Sequence, residues 1–347
     1  MKAKPTIKQI AKLSNTSIGT VDRVIHNRGD VSQINRENIE QIMKELDYVP
    51  NTFARSLALN KNFKIAVLLP KSKKGEYWNY YLTGIKKSIS DFKSLGIIIN
   101  LYFYDLDKTK TFNKSSNQVF KDENDAVLLF TVLTYETSIF LKKCKEKKMH
   151  FALIGSHEKD NDAIINIGQD PYQGGRLAAE LLNYGNKKGE NYLVLNILKL
   201  GNLNLRVINR IKGFKSFFSE SGKAINIEVF TITQEDDNLV DKLKNKINSN
   251  PKLNGIFIAN SKTYMVKDAL LDKNDIQIVG YDTLKKNKEL LNRGIVDFLI
   301  HQQPTEQAYQ GIEFLYRFLV MNETPRTNFI DIPLDIVSKE KLMYYKE

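Results

Sequence analysis

The sequence contains little cysteine and little histidine, and it has no long apolar run. Its one cysteine, Cys144, excludes an internal disulfide framework, and we expect it to be a buried thiol. The histidines are scattered without the spacing of a zinc site, and they are His26, His150, His157 and His301. We therefore expect no bound metal and no cofactor. No apolar segment is long enough to cross a bilayer, which argues against a membrane protein.

Sequence signals for export and for common enzyme classes are also missing. The N-terminal segment MKAKPTIKQIAKLS lacks the apolar region and the small-residue cleavage site of a secretory signal, so we expect a cytoplasmic protein. The chain has no GxSxG nucleophile elbow, no Walker lysine loop and no GxGxxG pattern after a strand. These absences argue against an enzyme.

Positive charge is abundant, but it is informative only where it is concentrated. The net charge is +12, and lysines occur along the whole chain, which is often only a solubility feature. Residues 1–21 contain no acidic residue and hold Lys2, Lys4, Lys8 and Lys12, with Arg23 and Arg28 following. Such a local basic patch is typical of a nucleic-acid-binding segment.

Short helices are predicted at the start of the chain. Thr6 and Gln9 form a capping-box pattern, which predicts a helix over residues 7–13. Ser17 can cap a second helix, with an apolar face formed by Val21, Val24 and Ile25. Two short helices joined by a tight polar turn indicate a helix-turn-helix.

A third helix and a short connecting helix follow. Apolar residues at helical spacing predict the third helix over residues 34–46, where it would close a three-helix core. The segment NTFARSLALNK after Pro50 is weakly amphipathic and too short to be stable alone. We interpret it as a hinge between two bodies.

The pattern changes after Ile65 to short apolar runs that alternate with helical segments. Runs such as IAVLLP, IIINLYFY and AVLLF are typical of βαβ units around a parallel sheet. A second set of such units begins near Gly168, so two α/β bodies follow the helical head. The last segments fit neither set, which predicts that the chain crosses back between the bodies.

The N-terminal segment of the chain closely resembles that of a known family. TIKQIAKLSNTSIGTVDRVIHNRGDVSQINRENIEQIMKELDYVPNTFARSLA is similar to the head and hinge of the lactose/purine repressor (LacI/GalR) family of bacterial transcription regulators. GYD near Tyr281 and IHQQP near Gln302 add weaker support. The resemblance covers the whole chain. It implies an all-α helix-turn-helix head with a hinge helix, followed by a two-lobed α/β body with parallel sheets, similar to periplasmic sugar-binding proteins.

The resemblance also implies domain boundaries. The head would occupy 1–50, the hinge helix and linker 51–62, the N-terminal lobe 63–167 plus 303–330, and the C-terminal lobe 168–302 plus 331–347. Proteins of this kind form a homodimer or a tetramer on a pseudopalindromic DNA operator. Their affinity for the operator changes when a small molecule enters the cleft between the lobes.

Several alternatives remain open. An exported sugar-binding protein without a regulatory role would need a signal peptide and would have no use for the head. The effector is expected to be a sugar or a sugar acid, with a sugar phosphate or a purine as the alternative. Repression is the expected outcome of operator binding, but the sequence does not decide whether the effector releases the operator or tightens binding.

By match to the family motif, the base-reading positions fall in the second helix. They are Ile18, Gly19, Asp22 and Arg23. Arg23 can pair with guanine O6 and N7, whereas Ile18 offers only apolar contact and Gly19 has no side chain. Asp22 stands where relatives have a small hydroxyl residue. It could accept a hydrogen bond from cytosine or order Arg23, but it would repel phosphates.

The resemblance further implies contacts to the DNA backbone and to the minor groove. Candidates for the backbone are Thr6, Ser17, Thr20 and Asn27. Leu57 matches the leucine wedge that enters the minor groove and kinks the duplex, with Ala54 beside it and Arg55 near the backbone. The alternative for Leu57 is a core leucine packed against the body.

Polar residues at predicted strand ends match the family's effector site. Asp282 follows the strand IQIVGY, and Arg210 precedes a Gly-Phe pair. Together they could bind vicinal hydroxyls, or Arg210 could bind a carboxylate, while a plain ion pair is the alternative. Asn260 and Gln169 match cleft-facing positions, and Gln169 replaces an acid found in some relatives.

An aromatic edge completes the predicted effector site. Tyr77 and Trp78 match the aromatic residues that the first lobe contributes, and a sugar's C–H surface can stack on such rings. Trp78 is the only tryptophan, and core packing is the alternative role for it.

Overall fold

The structure is a computed structural model that describes residues 5–25, 29, 31–46, 48, 62–155, 162–184, 191–199, 204–220, 222, 225–271 and 276–345. Nearly all of the predicted hinge, residues 51–62, lies outside this part of the chain. The predictions for Asn27, Ala54, Arg55 and Leu57 therefore concern residues outside the described ranges.

The head contains the three predicted helices. They are α1 (Ile7–Leu13), α2 (Ile18–Ile25) and α3 (Gln33–Glu45). The capping box is formed at the start of α1: the Thr6 amide donates to Gln9 Oε1 over 3.0 Å, and the Gln9 amide donates to Thr6 Oγ1 over 3.3 Å. At the start of α2, the Thr20 amide donates to Ser17 Oγ over 3.0 Å. The side-chain caps thus satisfy amides that would otherwise lack partners.

A small apolar core fixes the arrangement of the head helices. Its buried members are Ile10, Ala11, Val21, Val24 and Ile39. The turn between α1 and α2 contains Asn15 in the left-handed region, with φ 50°. Asn38 of α3 donates to the Ser14 carbonyl over 3.3 Å, which ties this turn to the third helix. The three helices therefore form a helix-turn-helix with a supporting helix.

The body, within the described ranges, contains two six-stranded sheets. The first six strands are β1 (Phe63–Pro70), β2 (Ile97–Tyr104), β3 (Ala126–Phe130), β4 (His150–Ile154), β5 (Ile165–Gly168) and β6 (Asn191–Leu198). The others are β7 (Asn226–Thr233), β8 (Leu253–Ile258), β9 (Gln277–Tyr281), β10 (Phe298–His301), β11 (Phe329–Asp331) and β12 (Asp335–Val337). The strand orders are β11-β5-β4-β3-β1-β2 and β12-β10-β9-β8-β6-β7. We refer to the two bodies as the first and the second lobe.

Helices cover the faces of these sheets. They are α4 (Tyr77–Phe92), α5 (Thr109–Lys121), α6 (Thr134–Glu146), α7 (Pro171–Asn183), α8 (Leu205–Glu220), α9 (Leu239–Asn248), α10 (Lys267–Leu270), α11 (Lys285–Asn292) and α12 (Pro304–Tyr316). Shorter helical turns comprise Lys93–Leu95, Thr263–Val266, Arg317–Met321 and Glu340–Tyr344. Strands such as β1 and β3 are buried along most of their length, as expected for parallel strands covered on both faces. Among the described residues, no helix combines the length and the apolar composition needed to span a membrane.

The last segments return to both lobes, as the sequence suggested. Helix α12 packs on α4, where the Thr305 hydroxyl donates to the Tyr80 carbonyl over 3.1 Å. Strand β11 pairs in parallel with β5, and after residues 332–334 the chain enters the second sheet as β12. Strand β12 runs antiparallel to β10, unlike the other described pairs, which are parallel.

Two glycines bring α7 and α8 into close contact. A Cβ atom added at Gly175 would lie 1.8 Å from the Arg210 carbonyl oxygen, and one added at Gly213 would lie 1.9 Å from the Tyr172 carbonyl oxygen. The two helices therefore touch backbone to backbone, and no larger residue fits at either position without separating them. This contact holds Arg210, on α8, in a fixed position relative to the sheet.

Candidate DNA-binding surface and ligand cleft

The exposed face of α2 carries most of the predicted base-reading residues. Ile18 is 50% exposed, although it is a large apolar residue, and Gly19 and Arg23 are exposed as well. Val21 and Val24 are buried on the opposite side of the same helix. This face is therefore not used to pack the head, and its side chains are accessible to a partner.

Gly19 is not required by the packing of the head. A Cβ atom added there would meet only Ser17 Oγ, at an ordinary distance of 3.6 Å. Glycine inside a helix costs about 1 kcal/mol relative to alanine. The structure therefore offers no internal reason for glycine at this position, which leaves a surface role as the simplest account.

The other predicted DNA contacts differ in exposure. Thr6 and Ser17 are exposed and also cap α1 and α2, and Thr20 is partly buried, with its hydroxyl 2.9 Å from that of Ser17. Asp22 is partly buried and lies near Tyr48. Burial raises the pKa of Tyr48, and the charge of Asp22 raises it further. Asp22 thus faces the head more than Arg23 does.

A cavity lies between the two lobes at the carboxyl ends of the strands. Its volume is about 10 Å³, which leaves room for about one water molecule in this arrangement of the lobes. Its lining residues are Tyr81, Gly155, Gln169, Asp170, Pro171, Arg206, Arg210, Tyr281, Gln302 and Gln307. The carboxyl ends of parallel strands are where ligands bind in open α/β sheets. Two of the predicted effector-binding residues, Arg210 and Gln169, line this cavity.

Arg210 and Asp282 are joined through Gln302. Arg210 Nη2 donates to Gln302 Oε1 over 2.7 Å, and Gln302 Nε2 donates to both oxygens of Asp282, over 3.0 and 2.9 Å. Arg210 Nη1 donates to the Ala259 carbonyl, and the guanidinium stacks on the Tyr281 ring at 3.7 Å. The three polar side chains are buried. A glutamine amide therefore bridges the two charges, in place of the plain ion pair considered above.

The backbone places Asp282 at the end of β9 in an unusual conformation. Its φ is 65°, in the left-handed region, and Asn287 Nδ2 donates to its carbonyl oxygen over 3.0 Å. The Asp282 amide donates to the Ile300 carbonyl over 2.8 Å. Burial raises the pKa of the Asp282 carboxyl from 3.8 to about 6, although Arg210 and the hydrogen bonds from Gln302 act in the opposite direction. The site therefore contains a carboxyl group whose charge is sensitive to small changes in its surroundings.

Arg206 lies on the same face of α8 as Arg210, lines the cavity and connects the two lobes. Its Nη2 donates to the Thr131 carbonyl oxygen over 3.2 Å. The guanidinium lies against Gly155, where an added Cβ atom would be 2.3 Å from Nη2 and 2.6 Å from Cζ. Gly155 has φ 74°, so both its conformation and the adjacent arginine favour glycine. A second contact between the lobes is the ion pair of Lys199 with Asp107.

Gln169 lies where the chain passes between the lobes. Its Nε2 donates to the carbonyl oxygens of His301 and Pro333, over 2.9 and 2.8 Å. Its Oε1 is buried and has no hydrogen-bond partner. The amide group thus joins the connecting segments and leaves an acceptor for another molecule.

Unpaired polar atoms are concentrated at the cavity. Within the described ranges, seven buried side-chain nitrogen or oxygen atoms lack a hydrogen-bond partner. Four of the seven belong to residues that line this cavity: Arg210 Nε, Gln169 Oε1, Tyr281 Oη and Gln307 Oε1. A buried polar atom without a partner costs about 1 to 3 kcal/mol, so such a cluster favours a polar ligand.

The predicted aromatic residues form a cluster on α4. The Tyr77 and Tyr81 hydroxyls are 2.9 Å apart, and the Trp78 ring stacks on Tyr81 with centroids 5.3 Å apart. Phe130 meets the Tyr81 ring edge-on at 4.9 Å. Tyr81 lines the cavity, and the rings of Tyr77 and Trp78 contact it.

Asn260 is not among the residues that line the cavity. Its Nδ2 donates to the Ile197 carbonyl over 2.9 Å, and its Oδ1 accepts from the Lys262 amide over 3.2 Å. The Lys262 ammonium donates to the same Ile197 carbonyl, and burial lowers its pKa to about 8. Asn260 therefore stabilises the turn after β8 in this arrangement of the lobes.

Several residues of the cavity were not predicted as site residues from the sequence. They are Tyr81, Arg206, Tyr281, Gln302 and Gln307. Arg206 and Tyr81 each lie four residues from a predicted site residue on the same helix, so helical spacing could have identified them. Among the described residues, no group of three or more His, Cys, Asp or Glu side chains is placed to hold a metal ion.

Comparison with known proteins gives two family matches. Residues 6–51 match the profile described as bacterial regulatory proteins, lacI family, and residues 65–323 match the periplasmic binding protein domain. The first match covers the helix-turn-helix, and the second covers most of both lobes. The helical head and the cleft thus correspond to separate, recognised units.

Relatives that match all or part of this chain are named as transcription regulators. The "Ribose operon repressor" of Lactococcus lactis subsp. lactis is 25% identical, and the alignment covers 97% of this chain and 98% of that protein. The "Probable HTH-type transcriptional repressor ExuR" of Bacillus subtilis is 25% identical over 61% of this chain and 56% of its own length. A crystal structure described as a LacI transcriptional regulator from Bacteroides fragilis has a TM-score of 0.76 and 26% identity, and covers 82% of this chain and 100% of that chain.

Proposed function

The chain belongs to the lacI family of bacterial regulatory proteins, with a periplasmic binding protein domain as its body, and on this basis we propose that it represses transcription. It is a ligand-controlled DNA-binding regulator, as its full-length relatives are named regulators and repressors. We propose that a sugar or a sugar acid, bound in the cavity, changes its affinity for a DNA operator. A relative named for a ribose operon supports a carbohydrate effector.

The observation that carries the effector proposal is the cluster of unpaired polar atoms around the cavity. Arg210 Nε can donate, while Gln169 Oε1 and Gln307 Oε1 can accept. A polyol presents hydroxyl groups that can do both, and the ring of Tyr81 offers an apolar wall. We assign Arg210 and Gln169 direct contacts with the ligand, and Asp282 a role through Gln302 in the ligand-free cleft.

For DNA, we propose that α2 enters the major groove. Arg23 would read a guanine, Ile18 would contact a thymine methyl group, and Gly19 would allow close approach of the helix. The exposure of these three residues supports this assignment. The partial burial of Asp22 favours a role in ordering the helix over direct contact with a base.

The remaining proposals rest on the family and on sequence match. We propose that Thr6, Ser17, Thr20 and Asn27 contact the phosphate backbone, and that Leu57 is the minor-groove wedge, flanked by Ala54 and Arg55. We further propose that the protein is a homodimer or a tetramer, that it works in the cytoplasm on a pseudopalindromic operator, and that it acts by binding without catalysis.

Selection of bound sequences from a random DNA pool tests the DNA assignment. The full chain is expected to enrich a two-fold symmetric site, and Arg23→Ala is expected to lose the preference at one base pair of each half-site. The matched control is Arg176→Ala, which removes an arginine paired with Glu220 in the body. An unchanged site preference in Arg23→Ala would remove Arg23 from the base-reading set.

Tryptophan fluorescence tests the effector assignment. Trp78 is the only tryptophan and stacks on Tyr81, which lines the cavity, so ligand binding is expected to change its emission. The ligand panel comprises sugars, sugar acids, sugar phosphates and purines. A saturable response to a sugar or a sugar acid that disappears in Arg210→Ala supports the proposal. A response only to a purine would contradict it.

A further inference from the structure

Two arginines from one helix face line the cavity, and their surroundings differ. Arg206 and Arg210 are four residues apart on α8, which places their side chains one turn apart on the same face. Both guanidinium groups carry a full positive charge at any physiological pH. Whether a ligand must supply a negative charge depends on how the protein balances each of them.

Arg210 is balanced within the protein. Its guanidinium is hydrogen-bonded to Gln302, which in turn is hydrogen-bonded to both oxygens of Asp282. This buried chain contains one positive group, one amide and one acidic group. The ring of Tyr281 adds a further stabilising contact with the cation. Arg210 therefore needs hydrogen-bonding groups from a ligand more than it needs a charge.

Arg206 has neutral hydrogen-bonding partners in the described part of the chain. Its Nη2 donates to the carbonyl oxygen of Thr131, over 3.2 Å, and lies 3.5 Å from the hydroxyl of the same residue. The charge of Asp282 acts on Arg206 without a hydrogen bond, and that carboxyl is already bound by Gln302.

The other acid of the cavity is also engaged elsewhere. Asp170 Oδ1 accepts from the amides of Tyr172 and Gln173 at the start of α7, and that helix end stabilises the carboxylate. Arg206 thus adds a positive charge to the cavity. Among the described residues, no carboxylate is hydrogen-bonded to the Arg206 guanidinium to offset this charge.

From this charge distribution, and resting on the proposed function, we infer that the effector carries a carboxylate and that Arg206 binds it. The planar guanidinium matches the two oxygens of a carboxylate. The hydroxyl groups of the same molecule would then reach the unpaired atoms of Arg210, Gln169 and Gln307. The effector class is therefore a sugar acid.

A neutral sugar and a sugar phosphate fit this cavity less well. A neutral sugar would leave the charge of Arg206 without an opposite charge bound to it. A phosphate group carries a charge of about −1.5 to −2 at neutral pH and three strong acceptor oxygens, which exceeds what one guanidinium can balance.

Calorimetry with matched ligands tests this inference. The full chain is titrated with D-glucose and D-glucuronate, with D-galactose and D-galacturonate, and with the 6-phosphates of both sugars. Within each pair the neutral sugar and the acid differ only at C6. The variants are Arg206→Gln, which removes the charge and keeps an amide, Arg206→Lys, which keeps the charge, and Arg176→Gln, which removes an arginine outside the cavity.

At least one acid is expected to bind about 30-fold more tightly than its neutral partner, because a charged hydrogen bond is worth about that factor. Arg206→Gln should remove this preference without weakening the neutral sugar, Arg206→Lys should keep part of it, and Arg176→Gln should keep all of it. Equal affinity for acid and neutral sugar, tighter binding of a 6-phosphate, or an unchanged preference in Arg206→Gln would overturn the inference and leave the proposed function standing. If no compound of the three classes binds the wild-type chain, the inference fails together with the proposal of a carbohydrate effector.

Discussion

The buried carboxyl of Asp282 should make the stability of the protein depend on pH in a way that one substitution removes. Burial raises its pKa from 3.8 to about 6. The folded state therefore holds the proton more tightly than the unfolded state does. The contribution of this group to stability is fully present below pH 3.8 and is lost as the pH rises through about 6. A pKa shift of this size corresponds to a change of about 3 kcal/mol in the free energy of unfolding.

Asp282→Asn is a suitable substitution because it keeps the shape of the side chain and removes the titration. Asparagine also tolerates the left-handed backbone found here, where φ is 65°. Gln302 Nε2 can still donate to the remaining side-chain oxygen. His301 must be considered too, because burial lowers its pKa to about 4 and its effect on stability has the opposite sign. His301 is present in both the wild type and Asp282→Asn, so its effect cancels in the difference between their free energies of unfolding.

Urea unfolding followed by circular dichroism, at pH values from 4 to 8, measures this difference. The free energy of unfolding of the wild type, relative to Asp282→Asn, is expected to fall by about 2 kcal/mol between pH 4 and pH 7 and to level off above it. Parallel pH profiles for the two proteins would refute the reasoning, because they would show that Asp282 titrates alike in the folded and unfolded states.

Three further predictions concern other positions. Gly213→Ala should lower the free energy of unfolding by about 1 to 3 kcal/mol, since its Cβ would lie 1.9 Å from the Tyr172 carbonyl oxygen; an unchanged urea midpoint would contradict this. Gly19→Ala should raise the stability of the head by about 1 kcal/mol, measured by the thermal melting of its helices, and a lower melting temperature would show that a side chain is not tolerated there. Arg210→Met should destabilise the body by about 3 kcal/mol at pH 7.5 because Asp282 would lose the cation that offsets it; a loss below about 1 kcal/mol would mean that the relay through Gln302 is weak.

Local signals in the sequence were enough to predict the head. The capping box of Thr6 and Gln9 and the cap at Ser17 depend on neighbouring residues only, and both are formed in the structure. The third helix begins at Gln33, one residue before the predicted start, because Ser32 provides its cap. Helix ends are decided by such single hydrogen bonds, which apolar spacing alone does not reveal.

The alternating body was also predictable, but the direction of its last strand was not. Apolar runs such as NYLVLNIL coincide with strands because parallel strands are buried on both faces. Strand β12 is short and has no such run. Its antiparallel pairing depends on how the chain passes from β11 into the other sheet, which is a property of the tertiary fold.

The cavity could be predicted only in part, since its residues come from distant segments. Strand-end position and family match pointed to Arg210, Gln169 and Asp282, and these are close together or linked in the structure. Gln302 was noted only as part of a motif, and its role as a bridge depends on side-chain geometry. Asn260 was predicted at a cleft-facing position, but its amide is engaged in the turn after β8.

The central claim is that a ligand in the cavity controls the affinity of the head for DNA. Fluorescence anisotropy of a labelled operator, titrated with the full chain at fixed ionic strength, tests it most directly when run with and without the ligand found by calorimetry. The account predicts that the ligand changes the operator Kd by about tenfold or more in the wild type and leaves it unchanged in Arg210→Ala. An operator Kd that is the same with saturating ligand and without it would contradict the account.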